Sequence, residues 1–183
     1  GRRDEVQLLA ANVDLLLVAA PLDGDLRARR IERFLALARE AGVPPVVVLT
    51  KSDLAADPAA ALAAARGLSG GAPVFAVSAR TGHGLDALSA LLLPRLTAAL
   101  LGPSGAGKST LVNSFLGEAR QATREVREED HRGRHATTRR ELFALPSGAL
   151  LVDTPGLREL ALWDASEAIA ARSRRNLAPL SNE

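Results

Sequence analysis

Cysteine is absent from all 183 residues, which removes disulfides and thiolate metal sites as ways of holding or using the fold. It leaves the redox compartment open. No apolar run is long enough to span a membrane either: the longest, residues 85–101, is interrupted by Asp86, Pro94 and Arg95. No signal-like segment opens the chain. Its first residues, GRRDEVQ, are polar and start on glycine rather than methionine, as in a domain excised from a longer protein. A cytoplasmic location is the default expectation. Formal net charge is only +2, so composition alone does not demand a nucleic-acid partner. The scarcity of lysine says most. Of the 23 basic residues, 21 are arginine and only Lys51 and Lys108 are lysine. Lysine is kept where a compact ammonium on a thin stem cannot be replaced by a planar fork.

What is present is an alternation of short apolar runs with longer amphipathic ones. Candidate strands are residues 13–20, 45–50, 73–78, 97–102, 139–146 and 149–153, with helical stretches at about 27–41, 56–67 and 84–93 and another starting at Gly107. Continuous apolar strands separated by helices predict an α/β fold, a mostly parallel six-stranded sheet with helices on both faces. The short PSG turn at 146–148 predicts a hairpin and one antiparallel edge. The polar stretch 118–138 is long for a loop.

Four groups fall at the carboxyl ends of these strands: TKSD at 50–53, SAR at 78–80, GPSGAGKS at 102–109 and DTPG at 153–156. Ligands of open α/β sheets bind outside those ends, so groups scattered along the chain are expected to converge on one crevice. The phosphate-loop spacing G-x-x-x-x-G-K-[ST] is met by Gly102, Gly107, Lys108 and Ser109. In the usual order that loop follows the first strand, whereas here it arrives after a hundred residues. The order is therefore rotated, with TKSD and SAR first and the phosphate loop and DTPG last. Rotation is cheap because termini lie at the surface and are often close together. The old ends would be joined at 92–96, LLPRL.

These segments, TKSDL, SARTGHGLDAL, GPSGAGKSTLVN, GRHATT and DTPGLRELALW, resemble the circularly permuted P-loop GTPases with a Ras-like sheet, and most closely the ribosome small subunit-dependent GTPase A family. The resemblance implies a GTPase domain over residues 1–163 and a carboxyl-terminal helix and tail over 164–183. It implies GTP or GDP with Mg²⁺ as ligands. It also implies action in late maturation of the small ribosomal subunit, with a slow intrinsic rate stimulated by that particle. The family carries an RNA-binding β-barrel before this domain and a zinc-binding domain after it. Neither is expected within these 183 residues, and no zinc. The arginine clusters at 27–33, 132–134, 139–140 and 172–175 are by themselves ordinary solvated faces. Combined with the resemblance they make ribosomal RNA the expected partner of a monomer.

Each group has a chemical reason to be where it is. Pro103, Ser104, Gly105, Ala106 and Thr110 complete the phosphate loop, whose backbone N–H groups and following helix face the anion. Lys108 is expected to reach the outer phosphates and Ser109 to give its hydroxyl to Mg²⁺. Asp153 is placed as the metal-side carboxylate, and the Gly156 N–H at the terminal phosphate. Asp53 would accept from the two adjacent donors on the guanine edge while the stem of Lys51 packs along the base. The Ala79 N–H, presented between Ser78 and Arg80, would meet the guanine carbonyl. Adenine leaves these groups mismatched. An ordinary helix N-cap is the competing role for Asp53. Thr50 replaces the family's asparagine and is expected to lose an amide brace on the phosphate loop, weakening affinity.

By the resemblance, Thr137 is the switch threonine that binds Mg²⁺ and the terminal phosphate, with Thr138 as the register alternative; Ala136 departs from the family's run of threonines. Leu157 stands where many GTPases keep the glutamine that orients water. His135, adjacent to Thr137, is the candidate for that task, because an imidazole can position water near neutral pH. A contact with a partner is its other reading. Leu157 and Ala136 keep open a nucleotide-dependent binding module with little turnover. A permuted GTPase of large-subunit assembly is the third reading. The LSGGA at 68–72 looks like a transporter ATPase signature, but it precedes the phosphate loop. His135→Ala is expected to lower the turnover number while nucleotide affinity stays similar, and an unaltered turnover would remove His135 from the mechanism.

Overall fold

The computed structural model describes residues 10–117, 141–153 and 169–171. Strands Ala10–Val13 (β1), Leu15–Pro21 (β2), Pro45–Thr50 (β3), Val74–Ala76 (β4), Thr97–Leu101 (β5), Glu141–Ala144 (β6), Leu150–Asp153 (β7) and Ile169–Ala171 (β8) are interspersed with helices Ala28–Glu40 (α1), Pro58–Leu68 (α2), Leu85–Ser89 (α3) and Lys108–Leu116 (α4). Strands β2 to β7 form a six-stranded sheet in the order β4-β3-β2-β5-β7-β6. All its pairings are parallel except that of the edge strand β6 with β7. The hairpin turn closes as expected, with Gly148 N–H donating to the Leu145 carbonyl at 2.9 Å.

Why the strands read as unbroken apolar runs is visible on β2. Side chains alternate sides along a strand. Leu17 and Ala19 pack on one face with Leu88 of α3 and with Leu111 and Val112 of α4. Leu16 and Val18 pack on the other with Phe34 and Leu37 of α1. Ala20 joins Ile31, Leu35 and Ala65 on that same second face. Both faces are covered, so no position on β2 can be polar. Helix α1 meets this demand with apolar residues at 31, 34, 35 and 38, the spacing of one helical stripe. Helix α2 starts where its residues dictate: Pro58 opens the first turn and the Asp57 carboxylate accepts from Ala60 N–H at 2.9 Å.

Three elements depart from the sequence reading. The strand expected over 13–20 is divided at Asp14, whose N–H donates to the Thr97 carbonyl and whose carboxylate accepts from Thr97 N–H. This local exchange ties the strand to the start of β5 and turns β1 away from the main sheet, helped by a left-handed Asn12. The helix expected over 84–93 is regular only from Leu85 to Ser89; Leu91 and Leu92 N–H then donate three residues back, to the Leu88 and Ser89 carbonyls, in tighter turns ahead of Pro94. The tail at 164–183, expected as a helix with a frayed end, contributes in its described part the strand β8, which pairs parallel with β1.

The join between the two halves of the rotated order is stitched down. Arg95 N–H donates to the Gly148 carbonyl at 2.9 Å and Leu150 N–H to the Leu96 carbonyl at 2.8 Å. Among the described residues no helix is long and apolar enough to cross a membrane.

Candidate functional site

Because β2, β3, β4, β5 and β7 run in parallel, their carboxyl ends share one edge of the sheet. From β2 the chain proceeds outward through β3 and β4 and returns to place β5 on the other side of β2. The order therefore reverses between β2 and β5, which is where a crevice opens in such sheets. On the α1 side of this point lies a cavity of about 870 Å³, lined by Val18, Ala19 and Ala20 of β2, by α1, by Asp23 and Lys51, and by Pro103, Ser104 and Gly105; Asp53, Ser78, Lys108 and Ser109 lie outside its lining. The LSGGA segment joins the end of α2 to the start of β4, at the opposite edge of the strands.

The phosphate loop grows directly out of β5. A Cβ on Gly102 would sit 2.7 Å from the Ala19 carbonyl oxygen and 3.0 Å from the Ala19 Cβ, so only glycine lets the loop leave the sheet this close to β2. Gly107 has φ +78° and delivers the chain into α4 from the left-handed region. Lys108, in the first turn, is 7% exposed. Its ammonium donates to the Gly102 and Pro103 carbonyls, at 3.0 Å each. Burial pulls the Lys108 pKa below its ordinary 10.5, and the negative charge of Asp153 partly offsets that. The loop thus closes around a cation at its base.

Asp153 ends β7 with its side chain wholly buried, in register with Leu100 of β5. Ser109 lies half-buried beside Lys108 at the start of α4. A carboxylate and a hydroxyl are hard oxygen donors of the kind Mg²⁺ takes alongside phosphate oxygens and water. Among the described residues no group of three or more histidines, cysteines or carboxylates comes together. This donor set fits an ion held largely by phosphate and water. Thr110 is exposed on the next position of the helix.

The second loop follows β3. Thr50 was expected to leave the phosphate loop without its brace, and the structure corrects this. The Thr50 hydroxyl, buried at the end of β3, donates to the Ala106 carbonyl at 2.7 Å. A shorter side chain thus ties the two loops together across the crevice. Lys51 then adopts a left-handed backbone, φ +57°, and its ammonium pairs with Asp23, a residue that the sequence reading did not single out. Neither a motif nor a spacing marks Asp23. Its only signal was its place just past the end of a strand that runs beside the one bearing Lys51.

Asp53 lies in a short 3-10 turn, Ser52–Leu54. The helix-capping role is taken by Asp57, which leaves Asp53 facing the third loop. Its carboxylate accepts from Arg80 Nε at 2.8 Å, and its side chain is 12% exposed against 73% for Arg80. Hydrogen bonding from the Ser78 hydroxyl, chiefly, and the Arg80 guanidinium hold the Asp53 carboxyl below its ordinary 3.8, although burial opposes them. Ser78 is itself fully buried. It is locked by its N–H donating to the His83 carbonyl and by Gly82 N–H donating to its own carbonyl, and its hydroxyl accepts from Thr81 N–H at 3.2 Å. His83 thus sits in the turn before α3. Ala79 stands half-buried between Ser78 and Arg80. His135, Thr137, Thr138 and Gly156 lie outside the described residues.

A phosphate loop at the switch point, braced to a loop that carries a charged and hydrogen-bonded aspartate, on a sheet whose strand order is rotated, defines a circularly permuted P-loop nucleotide-binding domain. The chain belongs to the RsgA GTPase family, whose model matches residues 1–163. It is 50% identical over 183 residues to the small ribosomal subunit biogenesis GTPase RsgA of Opitutus terrae, covering all of this chain and 50% of that protein. Against the protein of the same name from Methanosarcina acetivorans it is 48% identical over 163 residues, covering 89% of this chain and 44% of that one. The crystal structure of YjeQ from Thermotoga maritima superposes with a TM-score of 0.57 at 30% identity, covering 79% of this chain and 48% of that chain. The chain spans about half the length of the relatives it matches.

Two outcomes are expected of this geometry. Thr50→Val keeps the shape and removes the donor, and should weaken GDP binding by about three- to tenfold, the worth of one net hydrogen bond, as read by calorimetry. For Asp53 the folded pKa is depressed. Its stabilising contacts are therefore complete above 3.8 and are lost as pH falls through the lower folded value. A carboxyl NMR titration should place the Asp53 midpoint below 3.8, and Ser78→Ala should raise it more than Arg80→Ala. The reverse ranking would show that the guanidinium, not the hydroxyl, sets it.

Proposed function

We propose that this domain binds GTP with Mg²⁺, hydrolyses it to GDP and phosphate, and serves as the nucleotide switch of a protein acting in small ribosomal subunit biogenesis. The observation that carries the reading is the Thr50 to Ala106 hydrogen bond of 2.7 Å, because it locks a base-reading loop and a phosphate-reading loop into one crevice. Asp53 is held ionised and accepts from the N1 and N2 donors of guanine, an edge that adenine does not offer. The N–H of Ala79 meets the guanine O6.

At the other end of the ligand, the N–H groups of residues 103–109 and the start of α4 receive the phosphates. Lys108 exchanges its two loop carbonyls for phosphate oxygens and neutralises charge there. Ser109, Thr137 and Asp153 serve the Mg²⁺ ion, which when bound offsets charge on the outer phosphates. Gly156 donates its N–H to the terminal phosphate. His135 positions the water that attacks the terminal phosphorus as its bond to the bridging oxygen breaks, taking the place left by Leu157. Names of the relatives support the small subunit as partner. Arginine-rich segments support contact with its RNA phosphates. We read residues 1–163 as the GTPase domain of a cytoplasmic monomer, with 164–183 as a carboxyl-terminal segment that returns to β1 through β8.

Calorimetric titration with GDP and with ADP, each with Mg²⁺, tests the ligand class. Tight GDP binding with no heat from ADP is the expected result. Equal heats would overturn guanine recognition, and no heat from either would overturn the nucleotide site.

A further inference from the structure

The guidance that β3 gives to β2 continues past the end of the strand. Pro21 is in register with Thr50, and Leu22 N–H still donates to the Thr50 carbonyl at 2.9 Å. The next residue on each chain, Asp23 and Lys51, therefore leaves the sheet edge beside the other. Lys51 is fixed from behind as well. Its left-handed backbone is followed by Ser52 N–H donating to the Val77 carbonyl at 3.1 Å and Leu54 N–H donating to the Lys51 carbonyl at 3.0 Å. With its root held by these bonds, its far end pairs with the Asp23 carboxylate. The lysine side chain is 21% exposed and that of Asp23 40%, and both line the cavity that Ser104 and Gly105 also border.

We propose that Asp23 is a positioning residue for guanine-nucleotide recognition: its carboxylate anchors the ammonium of Lys51, so that the lysine stem is held as a preformed wall of the base slot. This rests on the guanine reading of the Thr50–Asp53 loop. A lysine side chain is among the costliest to immobilise. One already tethered at both ends loses less freedom when a base packs along it, which is preorganisation. Because the pair is partly exposed its worth is modest, and it weakens with added salt. Asp23 touches no nucleotide atom and acts only through Lys51.

A double-mutant cycle on the whole 183-residue chain tests this, with GDP affinity read by calorimetry in low and high salt. Asp23→Ala should weaken GDP about two- to fivefold in low salt, with a smaller factor in high salt. Single-turnover hydrolysis at saturating GTP should be unchanged. In a Lys51→Met background, which keeps the stem and removes the charge, Asp23→Ala should cost nothing further. Asp23→Glu should recover part of the loss. Unchanged or tighter GDP binding in Asp23→Ala, or the same factor lost again in the Lys51→Met background, overturns the proposal. Asp53→Ala is the separate check on the underlying reading. If it abolishes the preference for GDP over ADP while the cycle is additive, the anchor alone is wrong. If the preference persists, guanine reading by this loop is wrong, and the anchor falls with it.

Discussion

The parallel pairing of β2 with β3 on one side and β5 on the other is the constraint on which everything else rests. It brings Pro21, Thr50 and Leu101 to one edge of the sheet, so that three loops with no sequence proximity begin within reach of each other. The same pairing forces Gly102 against the Ala19 carbonyl, and it sets Asp23 beside Lys51. Its cost is met by apolar residues on both faces of β2, which leaves the strand no freedom to shift. A slip by one residue would exchange the two buried faces and separate the loops.

Circular rotation of the strand order leaves this constraint untouched, because a sheet is defined by neighbours and not by the sequence in which they are made. What changes is which loop is severed and which is joined. The join at 92–96 is not a slack tether: Arg95 and Leu96 bond to the β6–β7 hairpin at Gly148 and Leu150. The short connection is consequently part of the sheet's amino edge, far from the crevice and free to vary without disturbing the loops there.

Most of this architecture was legible because phosphate loops, strand ends and hairpin turns announce themselves by local residue types. The strand runs and the placement of Thr50–Asp53, Ser78–Arg80 and Gly102–Ser109 on one edge followed from periodicity and motif alone. What escaped had causes far away in sequence. Asp14 divides a strand through Thr97, and β8 takes extended form through pairing with β1; no window of sequence contains both partners. Thr50 misled for another reason. Its hydroxyl is shorter than the amide usually found there, yet its position at the end of β3 lets it reach the Ala106 carbonyl, and reach depends on backbone placement that residue type does not report.

The rotated order also has a consequence for how the chain is built. Synthesis runs from the amino end, so β2, α1, β3, α2 and β4, the half that carries Asp53 and Ser78, emerge and can pair among themselves before β5 exists. The phosphate-binding half arrives onto a surface already formed. The β1–β8 ladder, joining residues near 10 to residues near 170, can close only after both halves have emerged. A ribosome making this protein thus releases its recognition surface before its phosphate-binding surface, the reverse of what the unrotated order would impose.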